Sequence, residues 1–365
     1  MRTYADGGMV MQKKNLFFIS TVYVILFILA FSGILLIYSC RANSAYGFEA
    51  AEFALKQFFI ACGGFACMEY LRRFDCGKLE KLSSYTFFCA MAVLALVLIT
   101  GVKINGMKGW FSFYSVNLQP SDIFKCFYIF YIANLYEKSQ NKEKTFFIAG
   151  AVSTVWIGLI LLQPDYGTAL IYGLIFAVIS FLAGVKWYIL ALLPMCAVTS
   201  LAVFVGHKKY GFDRLYNFFA ANADINSGAW HWKQFQLTIA RGGFFGSKTD
   251  GAFWSSNYLP FAYNDSAYAA LHELTGFIGA FLLLLLYFVL LAIFFNRGNK
   301  LQSGRLFVLS GAFALMVQTL LHCSVNTALL PTTGLTMPLI SYGGSSLLGF
   351  FLLFGMMLCV CKSNE

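Results

Sequence analysis

The chain has 365 residues, of which 59% are apolar and only 12% are charged, and its formal net charge is +10. Soluble globular domains carry about 25% charged residues, so this composition excludes an ordinary soluble domain. The positive charge does not form a continuous basic surface along the sequence, and we therefore expect no nucleic-acid partner.

Ten apolar stretches are long enough to cross a membrane, since a transmembrane helix needs about 20 such residues. We predict an all-α integral membrane protein with a single domain over residues 1–365. The first stretch is too long for the apolar part of a signal peptide and has no small-residue cleavage site, so we expect it to remain as a helix. The predicted spans are 15–38, 51–70, 84–101, 120–136, 145–163, 166–184, 187–205, 268–294, 306–328 and 341–361.

The placement of Lys and Arg predicts the orientation of these helices. With the N-terminus inside, fifteen of these residues fall in inner segments and only three, Arg41, Lys103 and Lys108, fall in short outer loops. Both termini are therefore predicted to be cytoplasmic. The six remaining basic residues of the long loop carry little weight, because long loops cross largely regardless of charge.

The predicted seventh and eighth spans are joined by a long outer loop over residues 206–267. It contains Trp230, Trp232 and Trp254 and a glycine cluster at Gly242, Gly243 and Gly246. Aromatic residues at this density are typical of a segment at the membrane interface, and we expect part of the loop to be an amphipathic helix.

The ten cysteines show no disulfide framework and no zinc-binding spacing, and none of them lies in the long outer loop. We interpret them as packing residues. His207, His231 and His322 are scattered along the chain and form no predicted ligand set.

A polar break opens the predicted fourth span with Gln119, Pro120 and Asp122, followed by Lys125. Proline at the first helical position and an acid in the first turn are typical of a helix start. An unpaired charge inside a span costs about 2.5–3.5 kcal/mol, so helix capping alone does not explain Lys125. We predict that Asp122 and Lys125 pair and face a polar cavity, and a purely structural role is the alternative interpretation.

A second break, from Gln163 to Thr168, contains Asp165. This aspartate is typical of an N-cap for the sixth span. A helix start that faces an anionic substrate is the alternative interpretation.

A third break, at Leu259 and Pro260, leads to Asp265 at the start of the eighth span. From composition alone, Asp265 is either a helix cap or a catalytic base. Glu273 lies eight residues further, about 12 Å along a helix, so we expect a buried structural acid near His272 rather than a partner of Asp265.

The densest signal is the stretch Pro331–Ser346, which contains two prolines seven residues apart and no charge. It predicts an irregular or re-entrant segment. Its last four residues, Gly343 to Ser346, favour close helix packing.

Together these segments resemble the SEDS family of bacterial cell-wall polymerases, which includes FtsW, RodA and SpoVE. The resemblance runs from about the second span to the C-terminus. Ten helices with a long outer loop between the seventh and the eighth are also the architecture of that family. The matching stretches are Ile104–Trp110, Gln119–Lys125, Gln163–Thr168, Gly242–Gly246, Leu259–Asp265, Gly276–Gly279 and Pro331–Ser346.

The resemblance implies an inverting peptidoglycan glycosyltransferase of the bacterial cytoplasmic membrane, which polymerises lipid II into glycan strands in division, elongation or sporulation. Asp265 occupies the family's catalytic acid position and is expected to act as general base. Lys125, Arg214 and Lys108 are the expected substrate-binding cations for the pyrophosphate leaving group, and Asp122, Gln119 and Asp165 complete the expected substrate site. No cofactor is implied with certainty, and a divalent cation is left open.

The chain departs from the family pattern around Asp265. Phe261 stands where the family has Glu, Tyr263-Asn264 stand where it has His-Thr, and Ser266 begins the replacement of Phe-Ile-Phe. These changes keep two other interpretations open: a lipid II flippase or transporter, and a non-catalytic scaffold of a cell-wall complex. The resemblance also implies lipid II, the growing lipid-linked glycan and a class B penicillin-binding protein as partners.

Overall fold

The structure is a computed structural model that describes residues 2–42, 50–104, 106–113, 116–193, 230–247, 252–259 and 261–363. The helices in these ranges are α1 (Arg2–Ala42), α2 (Ala50–Arg73), α3 (Cys76–Thr100), α4 (Pro120–Ile123), α5 (Lys125–Lys138), α6 (Lys142–Leu162), α7 (Tyr166–Leu182), α8 (Trp187–Leu190), α9 (Trp230–Gly242), α10 (Phe253–Tyr258), α11 (Ala267–Gly298), α12 (Arg305–Asn326) and α13 (Gly344–Ser363). The strands are β1 (Val102–Ile104), β2 (Met107–Phe113) and β3 (Val116–Leu118).

The prediction of an all-α membrane protein is confirmed. In the described part of the chain, seven helices are long and apolar enough to cross a membrane: α1, α2, α3, α6, α11, α12 and α13. The shorter apolar helix α7 covers the predicted sixth span, and α4 with α5 covers the predicted fourth. The predicted seventh span begins at α8 and continues outside the described residues.

Two of these helices form the centre of the molecule. In the most apolar stretch of each helix, 72% of α12 and 83% of α13 is buried inside the protein. The corresponding share is only 28–39% in the other five helices. The outer helices instead expose large apolar side chains such as Phe17, Phe27 and Phe147, as expected of surfaces that face lipid. The central helices are therefore the ones that can hold polar groups away from lipid.

A small antiparallel sheet lies between α3 and α4, where sequence analysis predicted only a loop. Strand β2 pairs with β1 at Val102 and Trp110, and with β3 at Phe111 and Leu118. Aromatic residues favour strands, but in a chain this rich in Phe and Tyr the signal of a seven-residue strand does not stand out.

Helix α11 is kinked at Gly276, whose φ of 67° is open to glycine and strained for other residues. The N–H groups of Phe277 and Ile278 do not bond within the helix. They donate instead to the carbonyl oxygens of Gly243 and Phe244, at 2.9 and 3.2 Å. The predicted glycine cluster of the long loop therefore supplies a hydrogen-bond acceptor, the carbonyl of Gly243, to α11. The amphipathic helix predicted in the same loop is present as α9.

We expect Gly276→Ala to destabilise the protein by at least about 2 kcal/mol, because it combines a strained backbone with a steric clash. A Cβ atom at this position would lie 2.4 Å from the nitrogen of Gly246. Thermal unfolding of the protein in detergent measures the change. Gly173→Ala in α7 is the control, since a Cβ there meets nothing within 4 Å, and this substitution should be neutral or stabilising.

Candidate active site

Asp265 lies immediately before α11 and is partly buried. Its backbone carbonyl accepts a hydrogen bond from the side-chain amide of Asn326 at 3.0 Å. Its Oδ2 atom is 3.9 Å from the place that a Cβ would occupy on Gly334, a residue with φ of 69°. The carboxylate therefore faces the irregular segment that follows Pro331.

The chain just before Asp265 is held by the end of that same segment. The hydroxyl of Ser341 donates to the carbonyl of Asn264 at 2.7 Å, and the N–H of Tyr342 donates to the carbonyl of Tyr263 at 2.8 Å. Three successive carbonyl groups, those of residues 263–265, are thus bound by groups from elsewhere in the fold. Hydrogen bonds within the protein therefore hold the backbone around Asp265 in place without a ligand.

The first turn of α11 is capped by two side chains of α12. The N–H of Tyr268 donates to Nε2 of His322 at 3.3 Å, and the N–H of Ala269 donates to Oδ1 of Asn326 at 3.1 Å. The other ring nitrogen of His322 bonds the carbonyl of Leu335 at 2.7 Å. Because Nε2 accepts, Nδ1 carries the proton and donates to Leu335.

No role was predicted for His322 from the sequence, and the structure places it against the first turn of α11, three residues from Asp265. The signal that could have indicated it is the spacing of His322 and Asn326. These two polar residues lie four positions apart on an apolar helix and therefore share one face.

The predicted pair of Asp122 and Lys125 is present, with Nζ 3.3 Å from Oδ1. Lys125 is only 3% exposed, and its ammonium group also donates to Oε1 of Gln318 at 2.7 Å. The amide of Gln318 in turn donates to the carbonyl of Thr336 at 3.0 Å. A chain of polar contacts therefore runs from the start of α5 to the segment that faces Asp265.

Gln119 and Asp165 form a second branch of this polar network. The side-chain amide of Gln119 donates to Oδ2 of Asp165 at 2.7 Å, and its backbone N–H donates to the hydroxyl of Ser345 at 2.7 Å. Oδ1 of Asp165 accepts from the N–H of Thr168 at 3.0 Å, which confirms the predicted N-cap. Burial raises the pKa of the Asp165 carboxyl, and the bonds from Thr168 and Gln119 act in the opposite direction.

The segment Pro331–Ser346 joins the two branches. It is non-helical up to α13, as predicted, and it bonds the Gln318 side chain through Thr336 and Gln119 through Ser345. The hydroxyls of Thr336 and Ser346 bond each other at 3.0 Å. The serines that sequence analysis attributed to helix packing thus also bind polar partners.

Of the three predicted cations, only Lys125 is tied to this network by the contacts of the described residues. The ammonium group of Lys108, on β2, donates to the carbonyl of Ile99 at the end of α3, at 2.9 Å. Arg214 and Pro260 lie outside the described residues.

Glu273 has the structural role that sequence analysis expected. It is fully buried in α11 and accepts hydrogen bonds from the N–H groups of Trp254 and Ser255, at 3.0 and 2.8 Å, and from the Ser255 hydroxyl. Its Oε1 atom is 3.9 Å from Nε of Arg241. The carboxylate therefore anchors α10 against α11.

Tyr263, one of the departures from the family pattern, belongs to a group of aromatic rings around Arg41. The guanidinium donates to the Tyr263 hydroxyl at 2.9 Å and lies 4.6 Å from its ring and 4.0 Å from the ring of Phe53. Tyr342 packs on both rings, at 5.9 Å from Tyr263 and 5.2 Å from Phe53. These contacts join the C-terminal end of α1 to the backbone that carries Asp265.

Two buried side-chain atoms beside Asp265, Oδ1 of Asn264 and Oγ1 of Thr333, have no hydrogen-bond partner among the described residues. In the same part of the chain, no three or more His, Cys, Asp or Glu side chains form a group that could hold a metal ion. The site thus combines one partly buried carboxylate with two buried polar atoms that have no hydrogen-bond partner among the described residues.

Comparison with known proteins agrees with the resemblance found in the sequence. The profile of the cell cycle protein family FtsW/RodA/SpoVE matches residues 20–365. A "Probable peptidoglycan glycosyltransferase FtsW" of Coxiella burnetii is 31% identical over 301 residues, covering 78% of this chain and 80% of that protein. One of the same name from Wigglesworthia glossinidia brevipalpis is 29% identical over 349 residues, covering 93% and 90%.

Solved structures share the fold over nearly the whole chain. One is a chain from the solved structure described as "Structural coordination of polymerization and crosslinking by a peptidoglycan synthase complex". It is 26% identical in sequence, has a TM-score of 0.79, and the match covers 93% of this chain and 97% of that one. The rod shape determining protein RodA of Thermus thermophilus is 25% identical, with a TM-score of 0.67 and coverage of 93% and 96%. The chain therefore belongs to the FtsW/RodA/SpoVE family, the SEDS proteins.

Proposed function

We propose that this chain is a peptidoglycan glycosyltransferase that polymerises lipid II. The observation that carries the proposal is the position of Asp265. This residue lies at the start of a membrane helix, and its carboxylate faces the irregular segment at Gly334. The names of the relatives in Coxiella and Wigglesworthia support the same reaction class.

In the proposed reaction, Asp265 acts as general base. It takes the proton from the acceptor sugar's 4-hydroxyl as that oxygen attacks the anomeric carbon of the donor. The new glycosidic bond forms while the bond from the anomeric carbon to the pyrophosphate oxygen breaks, and undecaprenyl pyrophosphate leaves with the electron pair. One displacement inverts the anomeric centre.

The pyrophosphate leaving group needs positive charge or hydrogen-bond donors nearby. Lys125 is the proposed source in the described residues, with Gln119, Asp122 and Asp165 holding the surrounding polar network. Arg214 and Lys108 remain proposed contributors on the resemblance alone.

We further propose that both termini are cytoplasmic and that Asp265 lies at the outer face of the cytoplasmic membrane. The excess of Lys and Arg in the predicted inner segments supports this orientation. A separate class B penicillin-binding protein is the proposed partner for crosslinking. It is supported by the likeness to a chain of a synthase complex that coordinates polymerization with crosslinking.

We expect Asp265→Asn to lower the rate of glycan polymerisation by about 1,000-fold, the range that loss of a general base produces. The measurement is the length and yield of glycan strands made from labelled lipid II by the purified protein with its partner. Glu273→Gln is the matched control, because it alters a buried carboxylate that only anchors α10. This control should lower the melting temperature but leave the rate per folded molecule close to that of wild type.

Three results would contradict these assignments. Equal polymer yield from Asp265→Asn would remove Asp265 as the base. Movement of lipid II across vesicle membranes without polymer would favour the transporter, and neither activity in a folded wild-type protein would favour the scaffold.

We expect Lys125→Met and Asp122→Asn each to cost about 3 kcal/mol of stability, since each leaves one partner of a largely buried ion pair alone. The double substitution should cost clearly less than the sum of the two. Thermal unfolding of wild type, the two single variants and the double variant measures this coupling. Lys56→Met is the control, because its ion pair with Glu52 has side chains that are 32% and 61% exposed and should contribute little. Additive single effects at Lys125 and Asp122 would show that the pair is not formed.

We expect Arg41→Gln to lower turnover about 10-fold with little change in KM for lipid II, because the guanidinium holds Tyr263 and thereby positions Asp265. Tyr263→Phe keeps the ring and loses only the hydroxyl bond, so its effect should be smaller. Initial rates over a range of lipid II concentrations separate turnover from KM. Arg73→Gln, at an exposed arginine of α2, serves as control; unchanged turnover in Arg41→Gln would refute the positioning role.

A further inference from the structure

The ring of His322 joins the two segments that face each other in the candidate site. Its Nε2 atom accepts from the N–H of Tyr268, three residues after Asp265, and its Nδ1 atom donates to the carbonyl of Leu335, next to Gly334. Gly334 is the residue that the carboxylate of Asp265 faces. One side chain of α12 therefore bonds both sides of the site, close to the residues that face each other.

The partners of the ring fix its protonation state. The N–H of Tyr268 and the side-chain Nδ2 group of Asn326, which lies 3.4 Å from Nε2, are both donors, so Nε2 is the nitrogen without a proton. The carbonyl of Leu335 is an acceptor, so Nδ1 carries the proton. A charged imidazolium would donate at both nitrogens and could not accept from α11. The ring therefore has to be neutral to hold both segments.

Asn326 ties the same helix start to α12. Its Oδ1 atom accepts from the N–H of Ala269, and its Nδ2 group donates to the carbonyl of Asp265. Tyr268 and Ala269 are the second and third residues of α11, whose N–H groups a side chain just before the helix usually binds. Since these acceptors lie on α12, the start of α11 follows the position of α12.

We propose that His322 is a positioning residue, which keeps the carboxylate of Asp265 in register with the segment at Gly334. This inference rests on the proposed glycosyltransferase function, in which Asp265 is the general base. A misplacement of about 1 Å can lower a rate about 100-fold, and a base must lie within hydrogen-bond reach of the proton that it takes. The His322 ring is buried and both of its nitrogens bond the protein, so it acts through the position of Asp265 rather than on the substrate.

Two substitutions separate the two bonds of the ring. In His322→Gln the amide lies near the place of Nε2, and its oxygen can accept from Tyr268. In His322→Asn the amide lies near the place of Nδ1, and its nitrogen can donate to Leu335. Each variant keeps one bond and should lower turnover about 10-fold with an unchanged KM for lipid II. His322→Leu loses both bonds and should lower turnover about 100-fold.

The measurement is the initial rate of polymerisation over a range of lipid II concentrations, with the purified full-length protein and its partner. Rates are divided by the folded fraction, which thermal unfolding gives. Thr319→Val is the matched control: it alters a buried hydroxyl one turn earlier in α12 that bonds the carbonyl of Leu315 in the same helix, and turnover should stay at the wild-type level. Wild-type turnover in His322→Gln and His322→Asn would overturn the positioning role, as would a raised KM at unchanged turnover. These two variants give the answer even if His322→Leu does not fold.

The protonation state is measured without the reaction. Nitrogen-15 NMR of the full-length protein labelled at histidine distinguishes the two neutral tautomers from the charged ring, and the resonances missing from His322→Gln identify this residue. We expect the Nδ1–H tautomer, and either of the other two forms would overturn the proposal. A wild-type protein that shows this tautomer but makes no polymer would instead refute the proposed function, and the positioning role with it.

Discussion

A lysine ammonium group buried between helices is the constraint on which the candidate site depends. Lys125 is 3% exposed, and a buried charge is tolerated only when it is paired and hydrogen-bonded. Asp122 supplies the opposite charge from the preceding turn, and Gln318 supplies an acceptor from α12. The side-chain amide of Gln318 then donates to the carbonyl of Thr336. The residue that stabilises the buried ammonium group therefore also holds the segment that faces Asp265.

That segment explains why α12 is buried so much more than the outer helices. Irregular backbone at membrane depth must have its polar groups bound inside the protein. His322 and Gln318 of α12 bind its carbonyls at Leu335 and Thr336, and Asn326 of the same helix binds the backbone of Asp265. The shape of the site is therefore set chiefly by α12, although α11 is the helix that begins beside Asp265.

The features that could be predicted from the sequence are those formed by residues close together in the chain. The membrane helices follow from their apolar length, and the Asp122–Lys125 pair and the Asp165 N-cap each form within one helical turn. The bonds of His322 and Arg41 could not be predicted, because their partners lie 54 and 222 residues away and, for His322, are backbone atoms with no residue signature. Strand β2 was missed because its aromatic residues resemble those of the surrounding helices.

The kink at Gly276 makes the long connection before α11 a necessary part of a membrane helix. Two N–H groups of α11, at Phe277 and Ile278, have their acceptors on Gly243 and Phe244 rather than in their own helix. Deleting residues 243–244 would leave two N–H donors of a membrane helix without these acceptors, and an unsatisfied donor in hydrocarbon costs several kcal/mol. Residues 243–244 must therefore keep their place against α11, and variation among related chains should occur on either side of them rather than across them.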